Sequence, residues 1–280
     1  MADTAVRNVW HERRREILST ARNVWVGQES AEDIIFTHHK HAKFIKSVGR
    51  AQRMDMMTVA TATVFFHRFC LMERERRWAL HRPCVVAMAC LFLATKAENH
   101  RCKLRDIVVV GVHYYERQSA YIERRGDACN EIIQQVLRAE TDVMVCLDFD
   151  FDPGHPLSFL SEIVDSVAEP SGITPDQKQR LTVRAWDIAV ETLTTTLCCQ
   201  YNPRLVAVVS VYMASRWFTH EFTLIAMRKT EDGPERETQW WKLRGCSNEF
   251  IGDMTRQIKE GVAIGHKYSI ELSSPPPTDT

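Results

Sequence analysis

The residue types that most often carry chemistry are all present in this chain, but their spacing argues against most of the chemistry they could do. His38-His39-Lys40-His41 puts three imidazoles within about one helical turn. A structural zinc ion takes four ligands arranged in recognisable pairs, and no Cys or second His group stands at such a spacing from this cluster. The nine cysteines form an odd set, embedded in apolar helical runs without paired spacing, and read as reduced core thiols. Cys198 and Cys199 are adjacent in a helical run, so their side chains diverge by about a third of a turn and do not share a tetrahedral ion. The 11 glycines are scattered and build no phosphate-cradling loop or nucleophile elbow. Inward Glu-x-x-His pairs, needed by a di-iron helical bundle, are absent from the helices. The chain is read as a non-enzyme with no catalytic residue, cofactor or metal.

Other conspicuous residues have simpler readings. Phe65, Phe66 and Phe69 lie at helical spacing without interleaved cations, which makes them a packing stripe and not a platform for nucleic-acid bases. Trp240-Trp241 directs one ring outward if only one is buried, and an exposed ring can mark a contact; burial of both is the expectation. Lys96 closes an apolar helical run, where the macrodipole favours a cation, and Glu140 by itself reads as a solvated residue on a charged helix.

The elements that carry these residues come in two sets. Pro83-Cys-Val-Val-Ala-Met-Ala-Cys-Leu-Phe-Leu-Ala-Thr-Lys96 is echoed 120 residues later by Pro203-Arg-Leu-Val-Ala-Val-Val-Ser-Val-Tyr-Met-Ala-Ser-Arg216. The two segments share their opening proline, their apolar pattern and their closing cation, the mark of a helical unit used twice. Helical periodicity predicts helices over 38–49, 58–72, 83–96, 104–112 and 129–147 in the first unit. It predicts a second set over 157–168, 176–197, 203–218, a short piece around Trp240-Trp241, and 247–266. Between them, Asp148-Phe-Asp-Phe-Asp-Pro-Gly-His-Pro156 cannot continue a helix. The predicted fold is therefore all-α: an N-terminal helical extension (1–36), a first five-helix domain (37–152), a second (153–268) and a disordered Pro-rich tail (269–280). Polar insertions at 116–125 and 228–237 each fall near the fourth helix of their own unit and read as surface loops.

Composition excludes several classes of partner. The 36 Lys and Arg balance the 36 Asp and Glu, and neither half is one-sidedly basic, so direct nucleic-acid binding is not expected. No leader-like segment and no membrane-length apolar run is read in the chain, which predicts a soluble protein without a membrane partner.

With those elements in place, Thr58-Val-Ala-Thr-Ala-Thr-Val-Phe-Phe-His-Arg-Phe69 leading into Cys90-Leu-Phe-Leu-Ala-Thr-Lys-Ala-Glu98 resembles the tandem cyclin boxes of the cyclin family, over roughly residues 36–266. The His-Arg-Phe ending, the Ala-x-Lys-x-Glu ending and Phe149-Asp150 followed by His155-Pro156 resemble the transcription-associated cyclins. Ala185-Trp186, Leu193-Thr-Thr-Thr-Leu197 and Trp240-Trp241 are most similar to cyclins K and T.

The resemblance implies a regulatory subunit that docks on a cyclin-dependent kinase through the first box and forms a heterodimer with it. The implied contacts are Lys96 and Glu140 as grips on the kinase backbone, with Ala97, Glu98, Met144, Phe149 and Phe151 around them. A family like cyclins K and T implies the ninth, twelfth and thirteenth kinase types, which act on the RNA polymerase II tail, and nuclear residence with a cytoplasmic share left open. Two departures stand out: Ala97 replaces a larger apolar residue, and Glu98-Asn99 replaces an acidic pair. General transcription factors of the TFIIB type use the same double unit, but they rely on a basic face and an N-terminal zinc ribbon that this sequence does not show.

Overall fold

The computed structural model describes residues 31–72, 81–116, 126–224, 226–230 and 233–273. The helix expected before residue 31, the insertion at 117–125 and the tail beyond Ser273 lie outside the described residues. The chain forms two compact units that part between Pro153 and Gly154.

In the first unit, α1 (Ala31–Ala51), α2 (Met56–Met72), α3 (Pro83–Ala97), α4 (Leu104–Glu116) and α5 (Asp127–Cys146) follow in order. Asp55 opens α2 by accepting from the Thr58 backbone N–H (2.8 Å) and hydroxyl (2.9 Å), so an orphan donor of the first turn is satisfied. Pro83 starts α3 where a missing N–H costs nothing. Eleven of the 15 residues of α3 are buried, including every position from Cys84 to Leu91. A helix apolar on all sides has to be wrapped. The other four helices of the unit all pack against it.

No glycine ends α1, α3 or α5. Arg53, Asn99, Asp148 and Phe149 instead take positive φ (51° to 58°). In each case an amide beyond the helix end bonds back to a carbonyl five residues earlier: Met54 to Gly49 (2.9 Å), His100 to Thr95 (2.8 Å) and Phe149 to Met144 (3.1 Å). These are Schellman-type ends, which satisfy carbonyls that would otherwise be orphaned.

The histidines of α1 are packing groups. His38, His39 and His41 are all buried, with His38 Nδ1 2.7 Å from Nδ1 of the buried His67 and His41 stacked on Phe66. No group of three metal-ligating side chains occurs among the described residues. Burial, reinforced by His67 and His41, pushes His38 well below its ordinary pKa of 6.5. Burial, with Lys40 adding, lowers His41 to about 4 against the Thr37 carbonyl that raises it. Burial likewise raises the thiols of Cys70 and Cys90, which keeps them protonated and unreactive.

The second unit begins with a 3₁₀ turn (Pro156–Phe159). It continues through α6 (Leu160–Ala168), α7 (Pro175–Thr192), α8 (Leu197–Gln200) and α9 (Pro203–Ser215). The helix predicted over 176–197 breaks after Thr192. The hydroxyls of Thr192, Thr194 and Thr195 each bond a carbonyl three residues back, and the amides of Leu193, Thr194 and Thr195 do the same. Three threonines within four residues thus pull the chain out of the α ladder. The repeated helix α9 is wrapped as α3 is, by the 3₁₀ turn, α6, α7 and α8.

The expected surface loop at 228–237 is a two-stranded antiparallel hairpin, β1 (Ala226–Thr230) with β2 (Gly233–Thr238), with Ala226 opposite Thr238. The Asp232-Gly233 dipeptide between two short runs is a hairpin signal. A 3₁₀ turn (Lys242–Arg244) stands where a fourth helix was expected, and α10 (Asn248–Ser273) closes the chain. It extends past the predicted end at 266 because no breaker occurs before Pro275. Trp240 is fully buried and Trp241 is half-buried, its Nε1–H donating to Asn248 (3.1 Å). No described helix is long and apolar enough to cross a membrane.

A Cβ at Gly49 would come within 2.6 Å of Val59 Cγ2, on a side chain that has essentially one helical rotamer. Gly49→Val should therefore lower stability by about 1–3 kcal/mol in urea unfolding. Gly252→Ala, in α10 with nothing within 4 Å, should raise it by about 0.5–1 kcal/mol. The buried histidines set a pH dependence. Because His38 and His41 are proton-poor in the folded state, the unfolded chain binds more protons below pH 6.5. Stability should be flat above that value and should fall as the pH drops towards about 4, at roughly 1.4 kcal/mol per unit for each histidine. His41→Phe should reduce that slope in urea titrations at stepped pH.

Candidate functional site

The site grows from the ends of two helices of the first unit. α3 delivers Lys96 at its last turn because its apolar body runs out there, and α5 crosses it with a buried stripe of Cys129, Val136, Ala139, Glu140 and Val143. These positions recur at helical spacing, so Glu140 occupies an inward place in α5. It is 4% exposed, which corrects the reading of a solvated or surface carboxylate. A buried carboxylate requires a partner. Lys96 Nζ donates to Glu140 Oε1 at 2.7 Å and also lies 4.2 Å from the centre of the Phe92 ring. The lysine itself is half-exposed, so the pair is a buried acid capped by a surface cation.

Glu98, the C-cap of α3, is held by the Thr61 hydroxyl (2.6 Å), and Ala97 is half-buried against the core. Around the ion pair, Leu137 and Met144 stand three residues before and four residues after Glu140 in α5, the spacing of neighbours on a helix, and Val145 follows Met144. Leu137 and Val145 are exposed, and Met144 is partly buried.

Beyond α5 comes the one pair of consecutive left-handed residues among the described residues. Asp148 (φ 51°) and Phe149 (φ 58°) are consecutive left-handed residues without glycine, a conformation that costs about 1–2 kcal/mol each. The Phe149 side chain is 62% exposed. What holds the turn is the two residues that follow Phe149. Asp150 accepts from the guanidinium of Arg68 at 3.0 Å, and Arg68 is buried at the end of α2. Phe151 packs edge-on against Phe65 of α2 (6.2 Å) and against Phe149 (6.0 Å).

All seven residues singled out from the sequence thus belong to the first unit, at the C-terminal ends of α3 and α5 and the turn after α5. Their characters differ. Lys96 and Phe149 face solvent, Glu140 is buried, and Phe151 is mostly a core contact. The sequence reading did not identify Arg68 and Asp150 as the brace for Phe149, nor Leu137 and Val145 as exposed apolar residues beside the pair. A lone arginine in the otherwise apolar α2 was the available signal for the brace.

Against this geometry, the comparisons are consistent with one another. The profile of the cyclin N-terminal domain matches residues 9–152, half of the chain. A rice protein named Cyclin-T1-2 is 30% identical over 182 residues, covering 63% of this chain and 27% of its own length. Human Cyclin-K is 27% identical over 245 residues, covering 84% and 39%. The chain thus spans between about a quarter and a half of the first curated relatives it matches. Among solved structures, a chain of the yeast RNA Pol II CTD kinase CTDK-1 complex superposes with a TM-score of 0.63 at 16% identity, over 88% of this chain and 70% of that one. A chain of the yeast TFIIK complex gives 0.54 at 17%, over 89% and 92%. At these identities the two structures speak for the fold. Taken with the match of the N-terminal domain and the relatives named cyclin T and cyclin K, they show that this chain belongs to the cyclin family.

Proposed function

We propose that this chain is the regulatory, activating subunit of a cyclin-dependent protein kinase. It docks through the first unit on the kinase's regulatory helix, as one half of a heterodimer, and it serves a nuclear, transcription-associated kinase of the elongation type. The observation that carries the reading is the half-exposed Lys96 paired with buried Glu140, set among exposed apolar Leu137, Val145 and Phe149. A surface cation anchored by a buried acid inside an apolar patch is the make-up of an interface hot spot, where a few anchors carry most of the affinity. The relatives named cyclin T and cyclin K, and the kinase complexes among the structural likenesses, support the choice of partner.

Chemically, such a subunit contributes no reacting group. A protein kinase needs its lysine–glutamate pair and its magnesium-binding aspartate in place together, and the position of the regulatory helix governs both. A partner that binds the helix-in state better than the helix-out state shifts the equilibrium by that differential affinity and no more. The strained turn at Phe149 suits this role. A residue held exposed and pre-positioned loses little further freedom on binding.

Lys96→Ala combined with Glu140→Ala removes both ends of the pair, so no uncompensated charge is left in the core. Affinity purification from nuclear extract should recover a single cyclin-dependent kinase with the wild type and none with the double variant, while circular dichroism shows unchanged helicity. Polymerase or promoter factors recovered without a kinase would exclude the reading. A second pair of variants separates contact from support. Phe149→Ala should weaken kinase binding by about tenfold and leave the urea midpoint nearly unchanged. Asp150→Ala, which withdraws the carboxylate from buried Arg68, should lower stability by about 1–3 kcal/mol.

A further inference from the structure

The cation that closes the repeated helix has a different fate in each unit. In the first, Lys96 is neutralised by Glu140 from the unit's last helix. In the second, Arg216 follows α9, and the last helix α10 contributes not an acid but Thr255 and Lys259 to the cavity that Arg216 lines.

Two cavities meet at this arginine. One, of about 490 Å³, is walled by Phe222, Leu224, Trp240 and Trp241. The other, of about 460 Å³, is bounded by Met213, Trp217, His220, Thr255 and Lys259. Tyr212, Arg216 and Thr219 are common to both. Among the described residues, neither has a carboxylate in its lining. The Trp217 ring, 68% exposed, is held at the edge by Arg184, whose guanidinium carbon lies 4.1 Å from the ring centre. The Thr255 hydroxyl is buried without a hydrogen-bond partner, an unused polar group in the wall of the second cavity.

Among the described residues, four other arginines of the unit are matched by acids, and Arg184 stacks on the Trp217 ring. Arg180 pairs with Glu221 (2.5 Å), Arg204 and Arg244 with Glu162, and Arg256 with Asp253 (2.5 Å). Arg216, His220 and Lys259 form no hydrogen bond or ion pair through their side chains with any described residue. In a chain whose formal charge is zero, three unmatched cationic or titratable groups around one doubly walled recess mark a place built for a negative ligand.

We propose that the second unit carries a docking site for a short acidic peptide, with an oxyanion side chain, carboxylate or phosphoryl, on Arg216 and an apolar side chain in each flanking cavity. The guanidinium fork matches either oxyanion bidentately. A cavity on each side of a single arginine fits an apolar–acidic–apolar segment. It does not fit a nucleic-acid backbone, whose regular phosphates need an extended track of cations. The site is separate from Lys96 and Glu140 and does not depend on kinase docking.

The test is fluorescence anisotropy on the whole chain with labelled peptide pools of the pattern apolar-x-Z-x-apolar, Z being phosphoserine, glutamate or serine, and with a single-stranded RNA oligonucleotide. The anionic pools should bind and the serine pool should not; preference between phosphoserine and glutamate identifies which oxyanion the site takes. Arg216→Gln, at an exposed helix end, should weaken binding by about tenfold, and Lys259→Glu should weaken it too. Lys242→Ala, an exposed cation outside both cavities, should change it by less than about twofold. Equal binding of the serine pool, unchanged affinity in both Arg216→Gln and Lys259→Glu, or capture of the RNA in place of the peptides would overturn the proposal.

Discussion

The first unit depends on one constraint: α3 is apolar on every side, so four helices must surround it, and whatever polar residue ends it must emerge among them. Lys96 is that residue. Its place at the C-terminal turn, where the dipole already favours a cation, brings it beside α5, and α5 in turn places a carboxylate on its buried stripe at position 140. Neither residue is comfortable alone. Glu140 without a cation would be a buried charge, and Lys96 without Glu140 would be an ordinary solvated helix end. Together they form a polar point that the surrounding packing cannot shift, because moving it would mean moving α3 through its own shell.

The turn after α5 extends the same logic by a different means. Two left-handed residues in a row are a standing cost, offset by groups that belong to α2. Arg68 reaches Asp150, and Phe65 receives Phe151. Phe149, just before them, stands 62% exposed although it is as apolar as Phe151. An exposed phenylalanine in a left-handed conformation, with the two residues after it tied to α2, is retained against the hydrophobic effect. Such a residue differs from a singly exposed leucine, which is ordinary on a protein surface.

Much of this was legible in the sequence because it follows from periodicity. The doubled helix, the all-α class and the wrapped apolar segments all come from spacing alone, and Pro83 and Pro203 mark the helix starts directly. What was not legible depends on three dimensions or on local competition. The inward direction of Glu140 could have been read from Val136 four residues before it and Val143 three residues after, yet a charged residue on a charged helix is ordinarily outside. The Arg68–Asp150 brace joins residues 82 apart in sequence, a pairing no local pattern encodes. The break after Thr192 arose because threonine hydroxyls compete for helix carbonyls, a contest that apolar periodicity does not weigh. The hairpin in the second unit was passed over because its polar composition reads as loop, although Asp232-Gly233 carried the turn signal.

Duplication supplies two copies of one frame, and each copy can then vary the residue its closing cation faces. With an acid opposite, as in the first unit, the cation is tethered and contributes position; its charge is largely spent inside the protein. With a hydroxyl and a second cation opposite, as in the second, the charge remains available to something outside. The helix packing need not change for this, since α3 and α9 are wrapped in the same manner and differ at the rim. A tandem repeat of this kind can hold one closing cation paired and leave the other without an acid opposite by exchanges on the last helix of each unit. Such exchanges cost little stability because they lie where the wrapped helix meets solvent, and not in the shell that holds it.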